Sequence, residues 1–231
     1  MEFLLQQAPH QIDVEFMQKG LHDIPTEEML KRLQAQVDAA QGYDAILLGY
    51  GLCNNGLVGL QARDTQLVLP RAHDCITLFL GSRARYQEYF DANPGTYFKT
   101  TGWIERDSVS DELKQLSIPS QMGIDRTYEQ LVEQYGEDNA EYLWEELCNT
   151  ERNYKQITFI EMGVEPDGSF EQTAKEEAAA KQWTFEKVPG NLTLLQRLLG
   201  GDWDSDDFLV IPPTHRIVAK HDGSIVSCEP S

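Results

Sequence analysis

The chain predicts an α/β fold of doubly wound, mostly parallel sheets, and three observations carry that expectation. The run at 45–50 is almost wholly apolar, as in a strand covered on both faces, and further short apolar strands are read at 67–69 and 208–211. Segments of helical period alternate with them, the first, ahead of residue 45, marked by Met29, Leu30, Leu33 and Val37. A phrase also recurs: Leu67-Val68-Leu69-Pro70-Arg71-Ala72-His73 is echoed by Leu209-Val210-Ile211-Pro212-Pro213-Thr214-His215. Each reads strand, proline, two residues, histidine. As an internal duplication it gives two similar lobes facing a cleft, with His215 joining His73 there; otherwise His215 merely follows an ordinary strand.

In chain order, Ile12-Asp13-Val14-Glu15-Phe16 alternates as a half-buried strand does. Thr26 is the expected cap of the first long helix, with Glu27 and Glu28 in its first turn and Gly42 beyond its end. A strand at 45–50 runs into a glycine-rich loop at 51–59, and a third strand covers 67–69. Helical periodicity then spans 74–90, with a break at Gly81-Ser82. Asn93-Pro94-Gly95 is a turn, and 96–104 reads as an extended aromatic segment. Helices are expected at 127–135, 139–148, 170–183 and 192–199, and strands at 157–160, 185–188 and 208–211. The division that follows is an N-terminal lobe at 1–106, a polar connection at 107–125 around Pro119, and a C-terminal lobe at 126–231.

Composition excludes some partners. The net charge is −19, from 38 acidic and 19 basic side chains, which opposes binding to nucleic acid or to an anionic membrane. A basic protein partner is the interaction this charge permits; solubility is its plainer meaning. The N-terminus lacks the basic start and long apolar run of a secretory signal, and no run reaches the ~18 apolar residues of a span. A soluble, cytoplasmic protein is expected. The four cysteines, Cys53, Cys75, Cys148 and Cys228, show neither zinc-ribbon spacing nor a disulfide framework.

The chemistry-bearing residues follow two strand ends. Gly51-Leu52-Cys53-Asn54-Asn55-Gly56 follows one strand, and Arg71-Ala72-His73-Asp74-Cys75 follows the next. In parallel α/β sheets the carboxyl edge is where ligands bind. Cys53, His73 and Cys75 offer thiolate and imidazole to zinc or iron, and three protein ligands leave a position open for water or a small-molecule substrate. Asp74 either orients a ligating imidazole or caps the helix that begins there. The competing readings are two small buried cysteines with a core histidine, or a metal-free nucleophile at Cys75 assisted by His73. Gly51 and Gly56 belong to a loop too irregular for a dinucleotide fingerprint, which either cradles a ligand or simply turns. Trp103, with Tyr97 and Phe98, either walls a pocket or fills core, and Glu105 is a candidate acid or base.

The phrases Gly49-Tyr50-Gly51-Leu52-Cys53-Asn54-Asn55-Gly56, Leu69-Pro70-Arg71-Ala72-His73-Asp74-Cys75-Ile76-Thr77, Leu80-Gly81-Ser82, Gly95-Thr96-Tyr97-Phe98 and Gly102-Trp103-Ile104-Glu105 resemble the DUF1638 family. That is a family of unknown function in anaerobic bacteria and methanogenic archaea. The resemblance spans about residues 30 to 215, and Pro70-Arg71-Ala72-His73-Asp74-Cys75 is its most specific part. It favours Cys53, His73 and Cys75 as site residues, with Asp74, Trp103 and Glu105 behind them. It further implies an association with corrinoid-dependent methyl transfer, hence one-carbon metabolism. The alternative it opens is a metal carrier, or an accessory protein for a corrinoid or other tetrapyrrole, in which the aromatics face the macrocycle and His73 or His215 supplies an axial ligand.

Overall fold

A computed structural model describes residues 2–53, 55–104, 110–149 and 151–231. It is a mixed α/β structure with two three-stranded sheets and a hairpin among the described residues. The first sheet holds β1 (Ile46–Leu47), β2 (Leu67–Pro70) and β6 (Phe208–Ile211) in the order β1-β2-β6. β1 and β2 run parallel, while β6 lies antiparallel to β2.

β2 is buried at all four positions because both of its faces are covered. Leu67 and Leu69 point into the core formed with helix α2 (Thr26–Ala39), through Leu33 and Val37. Val68 points the other way, onto Leu194, Leu195 and Leu198 of α11 (Thr193–Gly200). The period of two within one apolar run thus divides the strand between two cores.

The second sheet is wholly parallel. It holds β3 (Thr96–Lys99), β4 (Gln156–Glu161) and β5 (Thr184–Pro189) in that order. Ile157 and Phe159 of β4 pack against Ala174 and Ala178 of α10 (Ser169–Ala180). Ile160 and Val188 pack against Ile76 and Leu80 of α3 (Cys75–Leu80). α3 therefore joins the two sheets: it starts at the carboxyl end of β2 and packs on the second sheet. After it, α4 (Arg83–Ala92) begins at a Ser82 cap, and the break falls at Gly81, φ 83°. A hairpin, β7 (His215–Ala219) with β8 (Val226–Pro230), adds Ile217 and Val226 to the first core.

Several expectations change. The repeated phrases meet as an antiparallel pair, with Leu69 opposite Leu209 and Pro70 opposite Phe208. The residues after β2 and those after β6 therefore leave the sheet at opposite ends. Residues 12–16 form no strand; Val14 and Phe16 are exposed. α2 has Pro25 rather than Thr26 at its cap position, with no side-chain capping bond. The aromatic segment is extended only to Lys99; Thr101–Ile104 is a helical turn, α5. Within the polar connection lie α6 (Asp111–Leu116) and α7 (Ile118–Met122). They are followed by α8 (Tyr128–Tyr135), α9 (Glu137–Leu143) and a π-helical turn, Trp144–Cys148. No described helix is long and apolar enough to cross a membrane.

Candidate functional site

The parallel pairing of β1 and β2 continues into the loops that follow them. Leu48 N–H donates to the Val68 carbonyl, Leu52 N–H to Ala72 and Cys53 N–H to His73, each at 2.8 Å. The loops after two adjacent parallel strands are thus tied together. Gly51 makes that approach possible. A Cβ there would stand 2.5 Å from the carbonyl carbon of Asp74 and 2.6 Å from its Cα, against backbone that cannot swing aside. Cys53 then turns back at φ 35°, a left-handed conformation unusual for a residue with a side chain.

Asp74 anchors the other loop. Its backbone is extended at φ −151°, ψ 177°, and it is the N-cap of α3. Oδ1 accepts the N–H groups of Ile76 (3.0 Å) and Thr77 (3.2 Å), while Oδ2 accepts the Tyr86 hydroxyl at 3.1 Å. Both carboxylate oxygens are engaged in holding the start of α3. That satisfies the capping reading and assigns Asp74 a positioning task.

Cys75, first residue of α3, is partly buried against the Ile76, Leu80, Ile160 and Val188 cluster. Burial drives its thiol pKa well above the ordinary value, and the nearby Cys53 and Asp74 push it the same way. Burial also raises the Cys53 thiol, partly offset by the polar backbone at Cys75 and Gly51. Charge on Cys53 further disfavours ionisation of Cys75, and both cysteines are unbridged. Two further hydroxyls border them. Tyr50 is pushed up to about 12 by burial and by Cys53. Tyr86 is raised by burial and by its bond to Asp74. The site in this state is a set of neutral thiols and phenols. Burial and the neighbouring negative charges disfavour the thiolate form of Cys75 here.

The other candidates are distributed differently. His73 is exposed, and among the described residues no group of three or more His, Cys, Asp or Glu is placed to hold a metal ion. Gly56 packs beside the Met29 side chain, under the loop. His215 begins β7, where its Nδ1 lies 3.0 Å from the Pro213 carbonyl, at the other end of the first sheet from His73. Trp103 stands on the α5 turn, its side chain outside the described residues, as is Glu105 entirely. Cys148 is buried and bonded to the Gly123 carbonyl, and Cys228 lies on β8. Sequence reasoning passed over Tyr50 and Tyr86. Tyr50 sits three residues from Cys53, but Tyr86 lies 12 residues beyond Asp74 and is joined to it only through the turn between α3 and α4.

This arrangement defines an α/β protein whose first parallel strand pair delivers two cysteines to one carboxyl edge. The chain belongs to the DUF1638 family, described as proteins of unknown function, whose family model matches residues 16–199. The match takes in both cysteine loops and leaves His215 outside it. No curated protein and no solved structure matches the chain.

Proposed function

We propose that Cys53, Cys75 and His73 bind one zinc or iron ion and present it to a small molecule at the carboxyl end of β2. The observation that carries this reading is the meeting of the two cysteines. Loops from neighbouring strands are bonded residue to residue, Leu52 to Ala72 and Cys53 to His73, so that Cys53 comes beside the start of α3 where Cys75 stands. Paired sulfur donors suit a borderline-soft cation. The extended Asp74 supports the third ligand: residues on either side of an extended position project to the same side. On this reading the exposed His73 side chain turns its imidazole towards the sulfurs when the ion binds.

A metal held by three protein groups keeps an open position, where it supplies Lewis acidity to a bound water, thiol or methyl-bearing substrate. The protein's own residues do the holding. Asp74 and Tyr86 fix the backbone at Cys75, Gly51 lets the second loop approach, and Tyr50 offers a neutral hydroxyl beside Cys53. We read the two sheets as lobes that meet at this edge, the first covered on both faces in the doubly wound manner. A reducing cytoplasm agrees with two adjacent unbridged thiols. Methyl metabolism and a corrinoid partner are extensions of this reading that the family resemblance alone suggests.

Anaerobic titration of the metal-free protein with Co2+ tests the proposal. The expected result is thiolate-to-cobalt absorption that saturates at one equivalent. Cys53→Ser and Cys75→Ser abolish it, and His73→Ala weakens binding by at least about tenfold, or ~1.4 kcal/mol. A wild-type protein that develops no such absorption overturns the reading. Visible bands present before cobalt is added would instead identify a tetrapyrrole carrier.

A further inference from the structure

The long crossover from β3 to β4 carries a second feature, independent of the thiol site. Parallel strands need only about a dozen residues to connect. Here the connection runs from residue 100 to 155 and contains α8, α9 and the π turn. From Tyr128 to Cys148 there are seven carboxylates and no basic residue. The inner side of this unit is settled: Leu131, Ala140 and Cys148 are buried, with Leu143 and Trp144 packed on them.

Its outer side is not. Tyr142 is 67% and Leu147 51% exposed. Asp138 and Glu146 lie four residues either side of Tyr142 and Glu145 three beyond it, the spacings of neighbours on a helical surface. Glu133, Glu137, Asp138, Glu141, Glu145 and Glu146 are all exposed, and none takes part in an ion pair among the described residues. Like charges at Glu137, Glu141 and Glu145 recur every four residues, a pattern that disfavours a helix left without opposite charge beside it. Apolar side chains standing among unneutralised acids describe a surface whose complement is both apolar and cationic.

We infer that the outer face of α9 and the π turn docks a lysine- and arginine-rich amphipathic segment of another protein, with Tyr142 and Leu147 as the apolar anchors. A second copy of this chain is the wrong occupant, because it would bring the same carboxylates against themselves. The occupant's basic residues meet Asp138, Glu141, Glu145 and Glu146, and its apolar face covers the two anchors.

The probe is a synthetic amphipathic helix with leucine on one face and lysine on the other, measured by calorimetry against the full chain. Two variants test the face: Glu145→Lys with Glu146→Lys removes its charge, and Tyr142→Ala with Leu147→Ala removes its anchors. A third, Glu15→Lys with Glu88→Lys, makes the same charge change at exposed positions elsewhere. Each of the first two should weaken binding about tenfold, and the third should stay within about twofold of wild type. Equal weakening by both charge variants, with no effect of the anchor variant, would show attraction to net charge alone and overturn the inference. So would a wild-type chain that does not bind the probe. Circular dichroism of each variant separates lost binding from lost helix.

Discussion

At Gly51 two loops come together with no room for a methyl group. The atoms that a side chain would meet belong to the Asp74 backbone, so the loop itself must move. Gly51→Ala should lower stability by about 1–3 kcal/mol, as overpacking does, and should separate the two cysteine loops. Urea unfolding measures the first effect, and faster alkylation of Cys75 by iodoacetamide reports the second. Asp74 gives a graded comparison. Asp74→Ala removes a cap of about 1 kcal/mol and leaves the Tyr86 hydroxyl without its partner, whereas Asp74→Asn keeps an acceptor for the helix start and should lose less. Unchanged urea midpoints for both variants would refute the positioning assignment. The residues of this site were largely legible: strand, proline and then His-Asp-Cys placed Cys75 at a helix start, and the glycine-rich loop placed Cys53 beside it. The exposure of His73 was not, because no sequence pattern fixes how a loop side chain rotates.

Among the elements, β2 and the segments that frame it show where local pattern speaks and where it is silent. Composition pointed to 45–50 as the strand buried on both faces; β1 there is two half-buried residues, and it is β2 that is buried at all four positions. The direction of its β6 partner had no sequence signal, because Leu-Val-Ile-Pro forms an equally good parallel or antiparallel neighbour. The β7–β8 hairpin escaped notice for a related reason: its strands mix charged, polar and apolar residues and gain their burial from the first core. Arg71 ties these late elements to the site loop. Its Nε donates to the carbonyls of Ser205 (2.9 Å) and Phe208 (3.2 Å), and its Nη1 to those of Ser224 (3.0 Å) and Val226. Substitution Arg71→Ala strands four carbonyls at once. The expected cost is about 2–3 kcal/mol, with faster hydrogen exchange in the hairpin than elsewhere. Uniform exchange across the chain would contradict that role.

For the whole molecule, the raised thiols and phenols make stability depend on alkaline pH. Cys53, Cys75, Tyr50, Tyr86 and Tyr89 hold their protons more tightly in the folded protein, chiefly because burial disfavours their charged forms. The unfolded chain releases those protons first, so it binds fewer of them and the native state loses ground as pH rises. These groups contribute nothing near neutrality; the decline starts around the ordinary thiol value of 9.0 and continues through the phenol range. Cys75→Ala should flatten the early part of that decline in thermal melts from pH 8 to 10. An unchanged slope would place Cys75 in a less buried setting. A bound cation would act in the opposite direction, holding both sulfurs as thiolates at neutral pH.

That opposition makes metal content the most direct measurement. Protein purified anaerobically without an affinity tag, and analysed for transition metals, should carry about one zinc or iron per chain. Cys53 and Cys75 should resist thiol labelling until a chelator is added, and Cys75→Ser should purify folded but empty. Metal-free wild-type protein, with Cys53 and Cys75 labelled equally with or without chelator, would contradict the account.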